Sequence, residues 1–170
     1  MVRPAAALGA LLLAGAAAAA VARPATVEQL AREADAVVRG RVARMESRWT
    51  GDGRHIVTRV TLRVSQVLRG AAGGELVLEV PGGVAGGFGQ RVDAAPAFAP
   101  GEEAVVFLRR IAGGRFLVHG MAQGKFRVEG GEARPDLEDW TFVPQALPAG
   151  ERRAEAMPVE ELERRVRAAR

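Results

Sequence analysis

Two histidines, two serines and a scatter of carboxylates are the side chains of this chain able to relay a proton or attack a carbonyl. Neither Ser47 nor Ser65 stands in a G-x-S-x-G turn, and the chain has no cysteine, so serine and cysteine hydrolysis lack a recognisable nucleophile. Thr58 and Thr61 fall inside an alternating stretch, where a β-branched residue fills a pleated surface. His55 and His119 lie far apart, and neither H-E-x-x-H nor H-x-H spacing occurs to mark a metal centre. With Asp52 they make a site only if strands bring them together; a turn histidine and a strand-end histidine are the simpler reading. Asp136, Glu138 and Asp139 lack the glycine-punctuated spacing of a calcium loop. Paired with Glu102 and Glu103 they would suit acid and base roles in glycoside cleavage, but Glu102 and Glu103 more simply occupy a turn before a buried strand. Residues 82–91 are glycine-rich without the G-K-[ST] ending or the following helix of a phosphate cradle. No cofactor and no metal is therefore expected.

The 170 residues carry 24 Lys and Arg against 20 Asp and Glu, a mild excess that gives no strong pull toward nucleic acid. Arg39, Arg41, Arg59 and Arg63 fall on the polar phases of two neighbouring predicted strands and would form a basic stripe. Aromatics do not interleave it as base stacking requires, and Glu75, Glu79 and Glu129 partly neutralise it. A solvated outer sheet face is the simpler reading, and the same stripe could meet an acidic polysaccharide or an acidic protein surface.

The elements that must position these groups follow from periodicity. Thr26 to Gln29 has the form of a capping box, and Val27, Leu30, Ala31 and Ala34 then share one stripe, which predicts a short opening helix. Residues 36–47 alternate as a strand with one wet face, and residues 56–65 alternate more regularly still, with a turn at Gly51-Asp52-Gly53 between them. Val67 and Leu68 break that alternation and predict a bulge or the end of pairing; residues 75–80 resume it. Residues 81–100 read as one long irregular loop, functional or mobile. The apolar run 105–108 suits a doubly buried strand. Gly113-Gly114 closes a hairpin to residues 115–119, residues 120–129 give a further strand, and Gly130-Gly131 makes a tight connection to Ala133-Arg134. Trp140, Phe142 and Val143 are the last apolar anchors before a terminal helix marked by Val159, Leu162 and Val166.

Arg3, the apolar run 8–21 and small residues at 20–22 have the pattern of a cleaved secretory signal. An exported chain with no cysteine has no disulfide and no lipid-bearing cysteine, so packing alone must hold it and it is expected free of a membrane anchor. The expected organisation is a signal peptide over residues 1–22, one β domain over 23–150 and a helical tail over 151–170 packed on or extending from it.

Two strings carry a resemblance: Gly89-Gln90-Arg91-Val92 leading through Ala95-Pro96-Ala97-Phe98-Ala99-Pro100-Gly101-Glu102 to Val105-Val106-Phe107-Leu108, and Gln123-Gly124-Lys125-Phe126-Arg127-Val128. With residues 34–42 and the step Val67-Leu68-Arg69-Gly70, they resemble an uncharacterised family of exported bacterial proteins, a likeness that implies export and no particular activity. More loosely, the pattern is similar to the netrin-like OB-fold barrels of tissue inhibitors of metalloproteinases. That likeness implies a fold. The N-terminal cysteine on which such inhibition depends has no counterpart here.

Short strands between two helices thus predict a mostly β protein, an OB-like closed barrel with an N-terminal and a C-terminal helix, or alternatively a β-sandwich. The expected function is a non-catalytic exported domain, periplasmic or secreted and monomeric, that binds a protein or acidic glycan through Phe88, Gln90, Arg91, Phe98, Gln123 and Lys125. One version makes it an accessory or inhibitor of an exported protease. The alternatives are a hydrolase or lyase using carboxylates with His55 or His119, and a structural envelope component.

Overall fold

The computed structural model describes residues 24–137 and 154–169. The signal-like segment 1–22, Glu138 and Asp139 of the acidic group, and the anchors Trp140, Phe142 and Val143 lie outside the described residues.

Helix α1, Val27–Glu33, opens as its sequence predicts: Thr26 Oγ1 accepts from Gln29 N at 3.1 Å, and Gln29 Oε1 accepts from Thr26 N at 3.0 Å. Strands β1, Ala36–Trp49, and β2, Ile56–Gly70, form a long antiparallel hairpin with three breaks in register. One break passes over Leu68, where the sequence loses alternation, and there β2 turns Leu68 toward the helices. The other two lie opposite Gly40 and after Val42; each extra residue adds bend and twist to the ribbon.

Strand β3, Glu75–Pro81, pairs antiparallel with β2. Two short strands follow, β4 at Gly83–Ala85 and β5 at Phe88–Gln90, paired with each other about Gly86 and Gly87, whose φ of 59° and 81° suit only a turn of the primed type. The expected irregular loop therefore contains a hairpin. Strand β6, Glu103–Ile111, is the doubly buried strand, with Ala104 to Leu108 all at 0% exposure. It pairs with β1 on one edge. On its other edge it meets β7, Arg115–Val118, and then β8, Lys125–Glu129. Residues 121–124 form a 3-10 turn where a strand from residue 120 was expected, because Gly120 enters the left-handed region and Gln123 turns inward. Strand β9, Glu132–Pro135, returns through Gly130 and Gly131, and β10, Met157–Pro158, adds the last edge before helix α2, Val159–Ala168.

Among the described residues the result is a mostly β protein with one large mixed sheet and two helices. Its pairings return on themselves: β1 to β2, β2 to β3, β3 to β7, β7 to β6 and β6 to β1. Four of these contacts are antiparallel ladders, and the fifth is one parallel bridge between Leu78 and Phe116.

Two apolar clusters share β1 and β6 through the period of two. Val38, Val42, Val60, Leu62, Leu78, Val106, Leu108 and Phe116 fill one side. Val37, Val105, Phe107 and Phe126 face the other, under Leu30 of α1 and Leu162 and Val166 of α2. This explains why residues 104–108 show no alternation of polarity. It also explains why Val37 is buried where a wet face was expected. Among the described residues no helix is long and apolar enough to cross a membrane.

Candidate functional site

The β4–β5 hairpin is fastened to the far end of the β1–β2 ribbon by backbone and small hydroxyls. Ile56 O accepts from Gly82 N at 2.8 Å, and Ile56 N donates to Gln90 Oε1 at 2.6 Å. The buried Thr58 hydroxyl donates to Gly82 O at 2.7 Å and lies 2.8 Å from Ser47 Oγ. Gly83 fits against this pair only because it lacks a side chain. Thr58 and Ser47 are thus spent on anchoring, not on nucleophilic attack.

What the hairpin presents is apolar. Phe88 meets Trp49 edge to face, with centroids 5.9 Å apart and planes at 66°. Val84 is 70% exposed, Phe88 65% and Trp49 39%. Large apolar groups gathered on a tip mark contact surfaces more often than isolated exposed leucines do. Beside them an open cleft of about 680 Å³ runs under β4 and β5, walled by residues 91–97, with Arg91, Asp93 and Asp136 as its charged lining.

The expected binding residues separate into two groups. Phe88 is at the tip, Arg91 is exposed on the cleft wall, and Gln90 lines the cleft while its amide oxygen holds Ile56. Phe98 is partly buried against the core, and Gln123 and Lys125 are interior. Gln123, at 6% exposure, accepts from Ala25 N at 2.8 Å and ties the chain before α1 to the sheet. Lys125 is at 0% exposure. Its ammonium donates to Ala97 O, lies 2.6 Å from Glu102 Oε1 and 3.6 Å from Asp136 Oδ2, and sits 4.7 Å from the Phe98 ring centroid. A contact residue for a partner was the expectation; the cation instead collects the carbonyl, carboxylates and ring that fix residues 97–102. As surface contacts Gln123 and Lys125 are corrected: enclosed side chains spent on internal bonds cannot meet a partner.

The acid pair proposed for glycoside chemistry is likewise consumed. Glu102 Oε2 accepts from Ala99 N at 2.8 Å, and its other oxygen faces Lys125 and, at 3.5 Å, Arg127. Glu103 binds Arg39 and Arg41. His55 and His119 do not converge. His55 sits exposed in the turn closing β1 and β2, while His119 N bonds Phe107 O, opposite the start of β1, and its ring lies 3.2 Å from Glu33. Among the described residues no group of three His, Cys, Asp or Glu side chains is placed to hold a metal ion.

The basic stripe is partly dissolved too. Arg39 bonds Glu103 and Glu163, Arg41 reaches Gly101 O and Glu103, and Arg59 meets Glu79 at 3.3 Å. Arg63 alone of the four has no partner among the described residues.

Trp49 and Val84 were not foreseen as site residues. The dipeptide Gly86-Gly87 between Val84-Ala85 and Phe88-Gly89 was the signal that could have found the hairpin and, with it, the tip. Comparison of the sequence with protein-family models found no match, and a search of curated proteins found no similar sequence.

Proposed function

We propose that this protein is an exported binding domain, built as an OB-like closed barrel, that recognises a protein or glycan partner of the cell envelope or exterior without catalysing a reaction. The observation that carries the reading is the exposed cluster of Trp49, Val84 and Phe88 on a hairpin bolted to the end of the longest ribbon, beside an open cleft. Aromatic residues on a rigid support give large contact area at small entropic cost. The barrel reading is supported by the five-strand circuit of pairings and by the apolar cluster that lines one side of it. Spent carboxylates and separated histidines weigh against the hydrolase or lyase alternative.

The accessory or inhibitor version differs only in its partner, an exported protease, and makes the same tip the contact. A benzophenone amino acid placed at position 88 tests the proposal, since its photochemistry inserts into C–H bonds of proteins and sugars alike. Irradiation in the producing cells is expected to give an adduct from position 88 and none from Arg109, which is exposed on β6. Equal labelling from both positions, or none from position 88, would overturn it.

A further inference from the structure

On the outer face of β1, β2, β3 and β7 lies a recess of about 230 Å³ lined by Arg44, Glu46, Arg59, Thr61, Val77 and Arg115. It shares no lining residue with the loop cleft, so a ligand bound in it is independent of the proposed function. Register builds it. Arg44 stands opposite Thr61 and Glu46 opposite Arg59 across β1 and β2, and Thr61 stands opposite Val77 across β2 and β3. The bulge after Val42 sets Arg44 on this face. Arg115 arrives from β7 across the seam that the Leu78–Phe116 bridge holds.

Two observations point to a ligand. Arg59 and Arg115 converge on one oxygen of Glu79, so a single carboxylate serves two guanidinium groups, and Arg44 has no ion-pair or hydrogen-bond partner among the described residues. Thr61 lines the recess at 6% residue exposure, and its hydroxyl, which bonds no described residue, is reached from the recess. A hydroxyl left open in this way can donate to and accept from a group seated in the recess.

We infer that this recess binds a hexuronate residue of an anionic glycan, its carboxylate between Arg44, Arg115 and the Thr61 hydroxyl. Guanidinium groups recognise planar carboxylates through paired N–H donors. Glu46 at the rim accepts hydrogen bonds from sugar hydroxyls, a role with no counterpart for a bare oxyanion. Val77 gives the floor an apolar area for the C–H face of a ring. The space is below the range of drug-sized pockets, about 300 to 1,000 Å³, which suits one ring of a chain whose neighbours stay in solvent.

The test is titration calorimetry of the protein with trigalacturonate, with its methyl ester and with sodium sulfate. Trigalacturonate is expected to bind, the ester to lose about tenfold in affinity, and added salt to weaken the complex. Arg44→Gln and Thr61→Val are each expected to cost about tenfold, and neither residue makes a side-chain hydrogen bond whose loss would unfold the chain, which circular dichroism checks. Binding of the ester equal to that of the acid, sulfate matching trigalacturonate, or affinity unchanged in Arg44→Gln would each overturn the inference, as would no binding of trigalacturonate.

Discussion

Lys125 shows how one residue's surroundings decide its work. A lysine at 0% exposure is tolerable because Ala97 O, Glu102, Asp136 and the Phe98 ring surround its ammonium. Replacing it by methionine keeps the volume and leaves the buried Glu102 carboxylate with only the more distant Arg127, 3.5 Å away, as a cation. We expect Lys125→Met to lower unfolding free energy by about 3–5 kcal/mol, and the double variant Lys125→Met, Glu102→Gln to recover a large part of it. Chemical denaturation of the three proteins checks this; a double variant no better than the single one would place the cost elsewhere. Gly124 carries a different constraint. A Cβ there would lie well inside 3.0 Å of the His119 carbonyl oxygen, so Gly124→Ala is expected to destabilise by about 1–3 kcal/mol through backbone displacement. A shift in melting temperature reads it, and an unchanged value would contradict the packing described.

Among the elements, the β4–β5 hairpin and the helix pair respond to different perturbations. Gly83 has φ 132°, and a Cβ would come closer than 3.0 Å to both Thr58 Oγ1 and Ser47 Oγ. Gly83→Ala is therefore expected to loosen the hairpin from the ribbon while the β1–β6 ladder stays intact. Amide exchange would show it as lost protection at Gly82 and Ile56 with Val105 and Val106 unchanged; protection kept at Gly82 would refute it. Helices α1 and α2 are joined by Arg165, whose Nε and Nη2 donate to the Glu28 carboxylate at 2.7 and 2.8 Å. That hydrogen bonding holds the Glu28 carboxyl below its ordinary 4.5. A lowered folded value means the pair contributes fully above the unfolded carboxyl value and is lost as pH falls through the folded one. Stability should thus drop below about pH 4, and Glu28→Gln should lose that part of the dependence. An identical acid limb in the variant would argue against it. Because both side chains are about a third exposed, the effect is small.

At the scale of the molecule, closure of the strand circuit hangs on one parallel bridge, Leu78 to Phe116, against six residue pairs between β1 and β6. Amides along the β3–β7 seam are expected to exchange faster than those of β1 and β6, since local opening breaks fewer bonds there. Uniform protection across both would show a seam tighter than its pairing implies. What the sequence made legible obeys the same logic of regular, local signals. The capping box at Thr26, the broken alternation at Leu68 and the glycine pairs at 113 and 130 each act within a few residues, and each element formed where they placed it. The β4–β5 hairpin escaped because three-residue strands with Val84 and Phe88 exposed carry no alternation. Lys125 and Gln123 read as surface groups because their partners, Ala97, Glu102 and Ala25, are distant in sequence and only the tertiary fold unites them.

The most direct measurement is the affinity of the wild-type protein and of Phe88→Ala for the species trapped at position 88, with catalytic conversion of that species monitored in parallel. Recognition through the tip predicts a loss of about tenfold or more for Phe88→Ala at unchanged melting temperature, and no conversion. Equal affinity in the variant, or turnover of the trapped species, would contradict it.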